Sequence, residues 1–266
     1  MRGKMTISAM VRTGTHAVSA FLLWLLVALP PVVAADYWGT MLPNQPAQFI
    51  FGYGSLINTP SRNSSAHAPI HAIPVRVAAS FGYVRAWIAQ SNSGFTALGL
   101  RRSVGDEKPT TINGVIYPVK DSDLPGFDQR EKAYTRIPIP LESIQAVSWQ
   151  RLPASAQIWA YVPIESAGPA AEPPSPRFPL LQSYIDVVID GALEYGETFA
   201  RELIETTFGW NRFWLNDREL ARRPWVHDKN HTEVDALLSA TEPAATQFKS
   251  RLFPEEFSKY FIKETP

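Results

Sequence analysis

The stretch that decides the fold reads Phe49-Ile50-Phe51-Gly52-Tyr53-Gly54-Ser55-Leu56-Ile57. Its apolar half predicts a short strand from Gln48 to Tyr53, and the glycines predict a sharp turn after it. Glycines on both sides of Tyr53 leave backbone N–H groups open to a carboxylate, a phosphate or a developing oxyanion. On spacing alone, a strand that ends in Gly-x-Gly is more often an ordinary tight turn than a binding loop, and both interpretations stay open on these residues.

The sequence motifs and the amino-acid composition exclude several classes of protein. A G-x-S-x-G nucleophile elbow needs a glycine where the chain has Ile57, and a phosphate loop needs a lysine that does not follow Gly54. The chain has no cysteine, which excludes disulfides, thiol nucleophiles and Cys-based metal sites. Its 25 basic and 25 acidic residues balance, and no long basic run is present, so no nucleic-acid partner is predicted.

The N-terminus has the three parts of a secretory signal. A basic segment with Arg2, Lys4 and Arg12 is followed by an apolar run of about a dozen residues and then by small residues up to Ala35. We therefore expect residues 1–35 to be a signal peptide cleaved after Ala34 or Ala35, and the protein to be exported to a periplasmic or extracellular space. The alternative is an uncleaved anchor, in which case the membrane is reached only through this segment.

Residues 36–165 are predicted to form the core domain. Short strand patterns cover Val75–Ser80, Gly82–Ile88, Thr96–Arg102, Ile112–Val119, Tyr134–Ile139 and Ser155–Pro163. We expect a bulge at Phe81-Gly82, and a helix of two turns from Leu124 to Lys132 after the start signal Asp121–Asp123. This order predicts an α+β domain, with a small mixed curled sheet or β-barrel of about six strands and flanking helices.

The remaining chain is predicted to be helical. Prolines in residues 166–179 predict an extended linker, and apolar residues recur at helical spacing in the extension that covers residues 180–266. Gly191 and Gly196 are expected to interrupt the first helix. Because an apolar stripe must be buried somewhere, we expect that helix to pack on the core and part of the extension to flank a pocket there.

Four motifs, taken in order, resemble those of the gamma-glutamylcyclotransferase family and of its ChaC-like and avirulence-induced-gene-like relatives. They are Phe51-Gly52-Tyr53-Gly54-Ser55-Leu56, Gly99-Leu100, Gly114-Val115-Ile116-Tyr117 and the run from Phe127 to Tyr134. The similarity covers about residues 48–163. It implies a small mixed barrel whose glycine loop and one glutamate face the same cavity, and it implies no cofactor. The chain departs from the family in a longer segment from Asn63 to Pro74, and no second acidic residue stands out in the loop.

The resemblance implies a small-molecule gamma-glutamyl substrate that is converted to 5-oxoproline and a free amine or amino acid. Glu131 would be the general acid–base, and the substrate-binding residues would be Tyr53, Gly54, Ser55, Leu56 and Tyr134. Glu131 ends the predicted helix where the chain re-enters the sheet, whereas Asp128 falls one turn back and Arg130 cannot act as a base. Without the resemblance, an exposed glutamate that pairs with Lys132 or Arg130 is the simpler interpretation.

Two other functions stay open. The chain could be a binding or interaction protein that kept the pocket for a gamma-glutamyl-like or carboxylate ligand, or it could act on another donor such as a gamma-glutamyl-amine. Neither the leaving group nor the oligomeric state is indicated by the sequence.

Three further groups of residues attract attention. His227 and His231 have the spacing of two metal ligands on a helix, but no third ligand stands out, so a solvated loop without a metal is expected. We expect buried aromatic packing beside an ion pair, rather than a recognition surface, where Trp210, Trp214 and Trp225 lie near Asn216-Asp217-Arg218. Arg85 and Trp87 share a strand face that either lines the cavity or is ordinary sheet surface.

Overall fold

The computed structural model describes residues 46–64, 69–147, 151–164, 172–220 and 231–262. These residues all belong to one compact unit. The predicted signal peptide lies outside the described residues, as do His227, Trp225 and the first part of the predicted linker. Within the described ranges, no helix is long and apolar enough to cross a membrane.

The described core is an α+β domain built on a mixed sheet of six strands, as the sequence predicts. The sheet has the order β6-β8-β1-β5-β2-β7, and β3 and β4 pair in a second sheet. Because the first sheet has two edge strands, β6 and β7, the described strands form an open sheet and not a closed barrel. The strands are β1 Gln48–Gly52, β2 Ile73–Val77, β3 Tyr83–Ser91, β4 Phe95–Arg102, β5 Ile112–Val119, β6 Tyr134–Ile139, β7 Ile144–Ala146 and β8 Gln157–Pro163.

Strand β1 lies near the middle of the sheet and delivers the glycine loop. It pairs antiparallel with β5 and parallel with β8, and Phe49, Ile50 and Phe51 are each 1% exposed. A continuous apolar run is what a strand buried on both faces requires. Gly114 of β5 keeps the pairing close, since a Cβ there would lie 2.5 Å from the carbonyl oxygen of Gly52.

The bulge predicted at Phe81-Gly82 is wrong. Ala79–Phe81 forms a 3-10 turn that ends at Gly82 with φ of 76°, in the left-handed region that glycine adopts without strain. The turn takes these residues out of the ladder, so β3 begins only at Tyr83. The register of β3 against β4 shifts instead between Trp87 and Ala89.

Eight α-helices, five 3-10 turns and three two-residue strands complete the described chain. The helices are α1 Thr59–Asn63, α2 Leu124–Arg130, α3 Gln182–Leu193, α4 Glu197–Glu205, α5 His231–Ala240, α6 Ala244–Phe248, α7 Pro254–Phe257 and α8 Lys259–Ile262. The short strands are β9 Leu180–Leu181, β10 Thr207–Phe208 and β11 Trp214–Leu215, of which β10 extends the sheet of β3 and β4.

Gly191 does not interrupt the first helix of the extension, which corrects the expectation from sequence. It lies inside α3 because the helix approaches Asn58 so closely that a Cβ at position 191 would be 2.4 Å from the backbone nitrogen of Asn58. Gly196 does separate α3 from α4, and its φ of 99° explains the choice of glycine.

The extension is fastened to the core by polar contacts as well as by its apolar stripe. The side chain of Asn58 donates to Asp190 at 3.0 Å, and the backbone N–H of Thr59 donates to Glu194 at 2.7 Å. At the start of the extension, Thr96 of β4 donates its backbone N–H to Pro179 and its hydroxyl to Phe178. This end of the predicted linker is therefore hydrogen-bonded to the core and is not a free spacer.

Candidate active site

The glycine loop leaves β1 and turns at once into a short 3-10 helix, Ser55–Ile57. The backbone N–H of Ile57 donates to the carbonyl of Gly54 at 2.9 Å. Behind the turn, the buried guanidinium of Arg62 donates to the carbonyls of Leu56 and Ile57 at 2.9 and 2.8 Å. With its carbonyls bonded on one side, the loop has a fixed backbone.

Glu131 lies at the junction between α2 and β6. Its backbone N–H donates to the carbonyl of Phe127 at 2.9 Å and closes the last turn of the helix, while its own carbonyl accepts from the N–H of Tyr134 at 2.8 Å. The chain therefore leaves the helix and enters the strand within a few residues. The side chain of Glu131 is half-buried and faces the cavity described next, whereas Lys132 is exposed.

A cavity of about 150 Å³ opens between the glycine loop and the end of α2. All six site residues predicted from the sequence line it, namely Glu131, Tyr53, Gly54, Ser55, Leu56 and Tyr134. The fold thus brings together a rigid loop with backbone N–H groups and a carboxylate that comes from a distant part of the chain.

The walls of the cavity include side chains that the sequence did not single out as site residues. They are mainly aromatic or aliphatic: Phe51, Leu98, Tyr117, Phe127, Tyr161 and Tyr184. Tyr184 belongs to α3, and in the sequence it counts only as one member of an apolar stripe. The hydroxyl of Tyr184 is the feature of the sequence that could have identified it as a site residue, because a tyrosine in a helix stripe that packs on a core needs a polar partner.

Two of the cavity tyrosines donate their hydroxyl hydrogens to other groups of the protein. Tyr53 donates to the backbone carbonyl of Tyr161 at 2.6 Å, and Tyr161 donates to the carboxylate of Asp128 at 2.8 Å. The first bond joins the end of β1 to β8. The second reaches an exposed carboxylate, which also pairs with Arg136 at 3.3 Å.

The phenols of the cavity remain protonated at neutral pH. Burial raises the pKa of Tyr53, Tyr134, Tyr161 and Tyr184, and the negative charge of Glu131 raises each of them further because a second anion nearby is unfavourable. The site therefore contains one carboxylate surrounded by neutral hydroxyl groups. Among the described lining residues there is no lysine, arginine or histidine.

Arg85 and Trp87 line neither the cavity nor the sheet surface, so both alternatives for them are wrong. Each is fully buried. The guanidinium of Arg85 donates to Asn113, to the carbonyl of Leu203 and to the hydroxyls of Thr206 and Thr207. It therefore joins β3 to the end of α4, and five such bonds replace the water that a buried cation loses.

Of the two histidines at metal-ligand spacing, His227 lies outside the described residues. His231 begins α5 with its Nε2 atom 4.0 Å from the carboxylate of Asp186. Within the described part of the chain, no three His, Cys, Asp or Glu side chains are grouped as a metal site would need.

The tryptophans near Arg218 are buried, as expected for packing. Trp210 and Trp214 are 8% and 0% exposed, with ring centroids 5.2 Å apart. Arg218 forms ion pairs at 2.7 Å with Asp186 and at 2.6 Å with Asp235, and its neighbour Asp217 instead accepts from Ser183. These contacts tie α3 to α5.

No protein-family model and no curated protein matches the sequence. Among solved structures, similar chains include a gamma-glutamyl cyclotransferase, 17% identical over 57% of this chain and 85% of that chain with a TM-score of 0.39. An uncharacterised protein from Homo sapiens has the same identity and coverage with a TM-score of 0.40. A yeast gamma-glutamyl cyclotransferase described as specific to glutathione is 12% identical over 59% of this chain and 96% of that chain, with a TM-score of 0.34. Structural similarities at these identities and TM-scores do not assign an activity to this chain.

Proposed function

We propose that this chain is a gamma-glutamylcyclotransferase-like enzyme that converts a gamma-glutamyl amide or peptide to 5-oxoproline and a free amine or amino acid. The observation that carries the proposal is the convergence of Glu131, the glycine loop and Tyr134 on one small cavity. The motif resemblance predicts these same residues from the sequence alone.

The reaction needs few groups, because the substrate carries its own nucleophile. The free α-amine attacks the γ-carbonyl carbon, a carbon–nitrogen bond forms to close a five-membered ring, and the bond to the leaving amine breaks. The reaction involves no change of oxidation state. Holding the substrate folded, with the amine next to the carbonyl, lowers the activation barrier by several kcal/mol. A small, rigid cavity suits this task.

Glu131 supplies the proton transfers. An α-amine is largely protonated near neutral pH, so a base must take a proton before or during attack, and an acid must return one to the leaving amine. One carboxylate can do both in sequence. The half-buried position of Glu131 in the cavity, next to the glycine loop, supports this assignment because a bound substrate would lie within its reach.

The loop and the phenols supply the neutral donors. The γ-carbonyl oxygen gains negative charge during attack, and N–H groups of Gly54, Ser55 and Leu56 are candidates to stabilise it. Because protonated phenols can donate hydrogen bonds, Tyr134 is a candidate to orient the substrate in the same cavity.

The experiment is a panel assay on purified residues 36–266. The protein is incubated with gamma-glutamyl amides that differ in the leaving amine, with glutathione among them, and 5-oxoproline and the freed amine are both quantified. Release of the two products in equal amounts supports the proposal. If no member of the panel is turned over, but a gamma-glutamyl compound binds in the cavity, the chain is a binding protein instead.

A further inference from the structure

We propose that Arg62 is a positioning residue of the reaction, and that its buried guanidinium polarises the N–H groups of Ser55 and Leu56 through two chains of peptide hydrogen bonds. Arg62 belongs to α1, which follows the glycine loop, and it is not one of the residues that line the cavity. The inference rests on the proposed function, because it names the source of positive potential at the donors of the loop.

The first chain starts at the Nη1 atom of Arg62. This nitrogen donates to the carbonyl of Leu56 at 2.9 Å. The same peptide group carries the N–H of Ile57, which donates to the carbonyl of Gly54 at 2.9 Å. That carbonyl shares its peptide group with the N–H of Ser55, so the chain ends on a residue that lines the cavity.

The second chain starts from the same nitrogen and runs beside the first. The Nη1 atom also donates to the carbonyl of Ile57 at 2.8 Å. The N–H of Asn58 belongs to that peptide group and donates to the carbonyl of Ser55 at 3.2 Å. This last carbonyl shares its peptide group with the N–H of Leu56, which also lines the cavity. The two chains therefore end at neighbouring N–H groups of the glycine loop.

Polarisation along these chains strengthens the last donor of each. Because the peptide bond is a resonance hybrid, a cation that donates to the carbonyl oxygen makes the attached N–H more positive. Hydrogen bonds in series strengthen one another, by roughly 10–30% per bond. With a cation at its far end, each chain makes its last N–H a stronger donor to an oxygen that gains negative charge.

Burial and hydrogen bonds fix the guanidinium of Arg62, which is 5% exposed. Its Nε atom donates to the carbonyl of Ile70 at 3.2 Å, and its Nη2 atom donates to the hydroxyl of Thr59 at 2.9 Å. That hydroxyl donates in turn to the carboxylate of Glu194, in the extension. A neutral hydroxyl group thus stands between the cation and this carboxylate, so the positive charge is not cancelled there by direct contact.

The cavity needs a source of positive potential because its own charge is negative. Glu131 is anionic before it accepts a proton, and among the described lining residues there is no lysine, arginine or histidine. A developing oxyanion would therefore lie near a carboxylate. The cation behind the loop offsets this repulsion at the N–H groups that face the reaction.

The test compares wild-type protein with Arg62→Met, which keeps a long side chain and removes the charge and the donors. We expect kcat per folded molecule to fall about tenfold or more, with KM for a gamma-glutamyl amide within about threefold, because the effect acts on the transition state. Arg85→Met is the matched control, since it also removes a buried arginine, but one that joins β3 to the end of α4 outside the cavity. It should lower stability and leave kcat per folded molecule at the parent value.

Ligand binding separates this inference from the proposed function. The probes are 5-oxoproline and a cyclic phosphinate in which a tetrahedral PO2⁻ group replaces the lactam carbonyl. Calorimetry should find that Arg62→Met weakens binding of the phosphinate about tenfold or more and that of 5-oxoproline less than about threefold. A merely structural role of Arg62 would weaken both to the same extent.

The outcomes are distinct. If wild-type protein turns nothing over but Arg62→Met shows this selective loss of phosphinate binding, the reaction is wrong and the role of Arg62 stands. If wild-type protein turns substrate over, while Arg62→Met keeps the parent kcat per folded molecule or weakens both ligands equally, the role of Arg62 is wrong and the reaction stands. Wild-type protein that neither binds nor converts these compounds overturns both.

A backbone variant tests the same chain if Arg62→Met does not fold. Replacing Ile57 by its α-hydroxy acid turns one peptide bond into an ester and removes the N–H that joins Leu56 to Gly54, while every side chain stays in place. We expect kcat and phosphinate affinity each to fall about threefold or more, with 5-oxoproline binding unchanged, because the first chain is broken. Parent values of both quantities would overturn the proposal.

Discussion

Gly191 of the C-terminal extension packs directly on Asn58, at the end of the glycine loop, with space for no side chain between them. The same two segments are joined by the hydrogen bond from Asn58 to Asp190. Because Asn58 also caps α1 by accepting from the N–H of Ser61 at 2.9 Å, the extension supports the loop from behind at a point where the loop is itself fastened. The candidate site thus depends on a helix outside the stretch that carries the family resemblance.

Gly191→Ala is expected to destabilise the protein by about 1–3 kcal/mol, because the new methyl group meets backbone atoms of Asn58 that cannot rotate away. Gly126→Ala is the matched control. Gly126 lies in α2 with open space around its Cα, so alanine there should stabilise the protein by about 0.5–1 kcal/mol. Urea unfolding of the two variants measures both effects, and two shifts of the same sign would contradict the packing described for Gly191.

Tyr53→Phe is expected to cost about 1–3 kcal/mol, because it leaves the carbonyl of Tyr161 buried without the hydroxyl that bonds it at 2.6 Å. Tyr161→Phe should cost less, since the carboxylate of Asp128 that loses its bond is exposed and water can replace the phenol. Thermal unfolding monitored by circular dichroism compares the two. A larger loss for Tyr161→Phe would contradict the assignment of the buried bond.

The four raised pKa values make a prediction about alkaline pH. In the unfolded chain these phenols ionise near their ordinary pKa of about 10, while in the folded protein burial keeps Tyr53, Tyr134, Tyr161 and Tyr184 protonated to higher pH. Their contribution to stability is therefore fully present below pH of about 10 and is lost progressively above it. Ultraviolet difference titration should find at least these four of the nine tyrosines resistant until the protein unfolds. Titration of all nine in the folded state near the ordinary pKa would contradict this.

Much of the fold follows from local signals in the sequence. The predicted bounds of β5 and β6, Ile112–Val119 and Tyr134–Ile139, are those of the structure, because alternation and turn residues act over a few positions. The helix before β6 ends at Arg130 rather than at Lys132, which leaves Glu131 at the junction where the sequence located it. The sequence does not predict β7, since a strand of three residues carries too little pattern.

What the sequence did not predict depends on contacts between distant segments. The sequence predicts that Gly191 breaks the helix, because nothing nearby in the chain shows that Asn58 packs on it. The sequence shows Tyr184 only as a member of the apolar stripe, because the glycine loop beside its hydroxyl lies far away in sequence. Arg85 likewise gave no sign of burial, since its hydrogen-bonding partners come from β5 and the end of α4.

Export remains a prediction. If residues 1–35 are a cleaved signal, protein recovered from its native host should begin near Ala35 or Asp36, which N-terminal sequencing or intact-mass measurement can establish. A soluble cytoplasmic protein that retains Met1 would contradict the interpretation of the N-terminal segment.

The most direct test of the account is the rate of 5-oxoproline release by Glu131→Gln. Glutamine keeps the shape of the side chain and removes its ability to accept and return a proton, so turnover of a gamma-glutamyl amide should fall about 100-fold or more while the melting temperature and 5-oxoproline binding are retained. Glu142→Gln, an exposed glutamate on the 3-10 turn Leu141–Ser143, is the control and should keep the parent rate. Release of 5-oxoproline by Glu131→Gln at the parent rate would show that Glu131 is not the general acid–base.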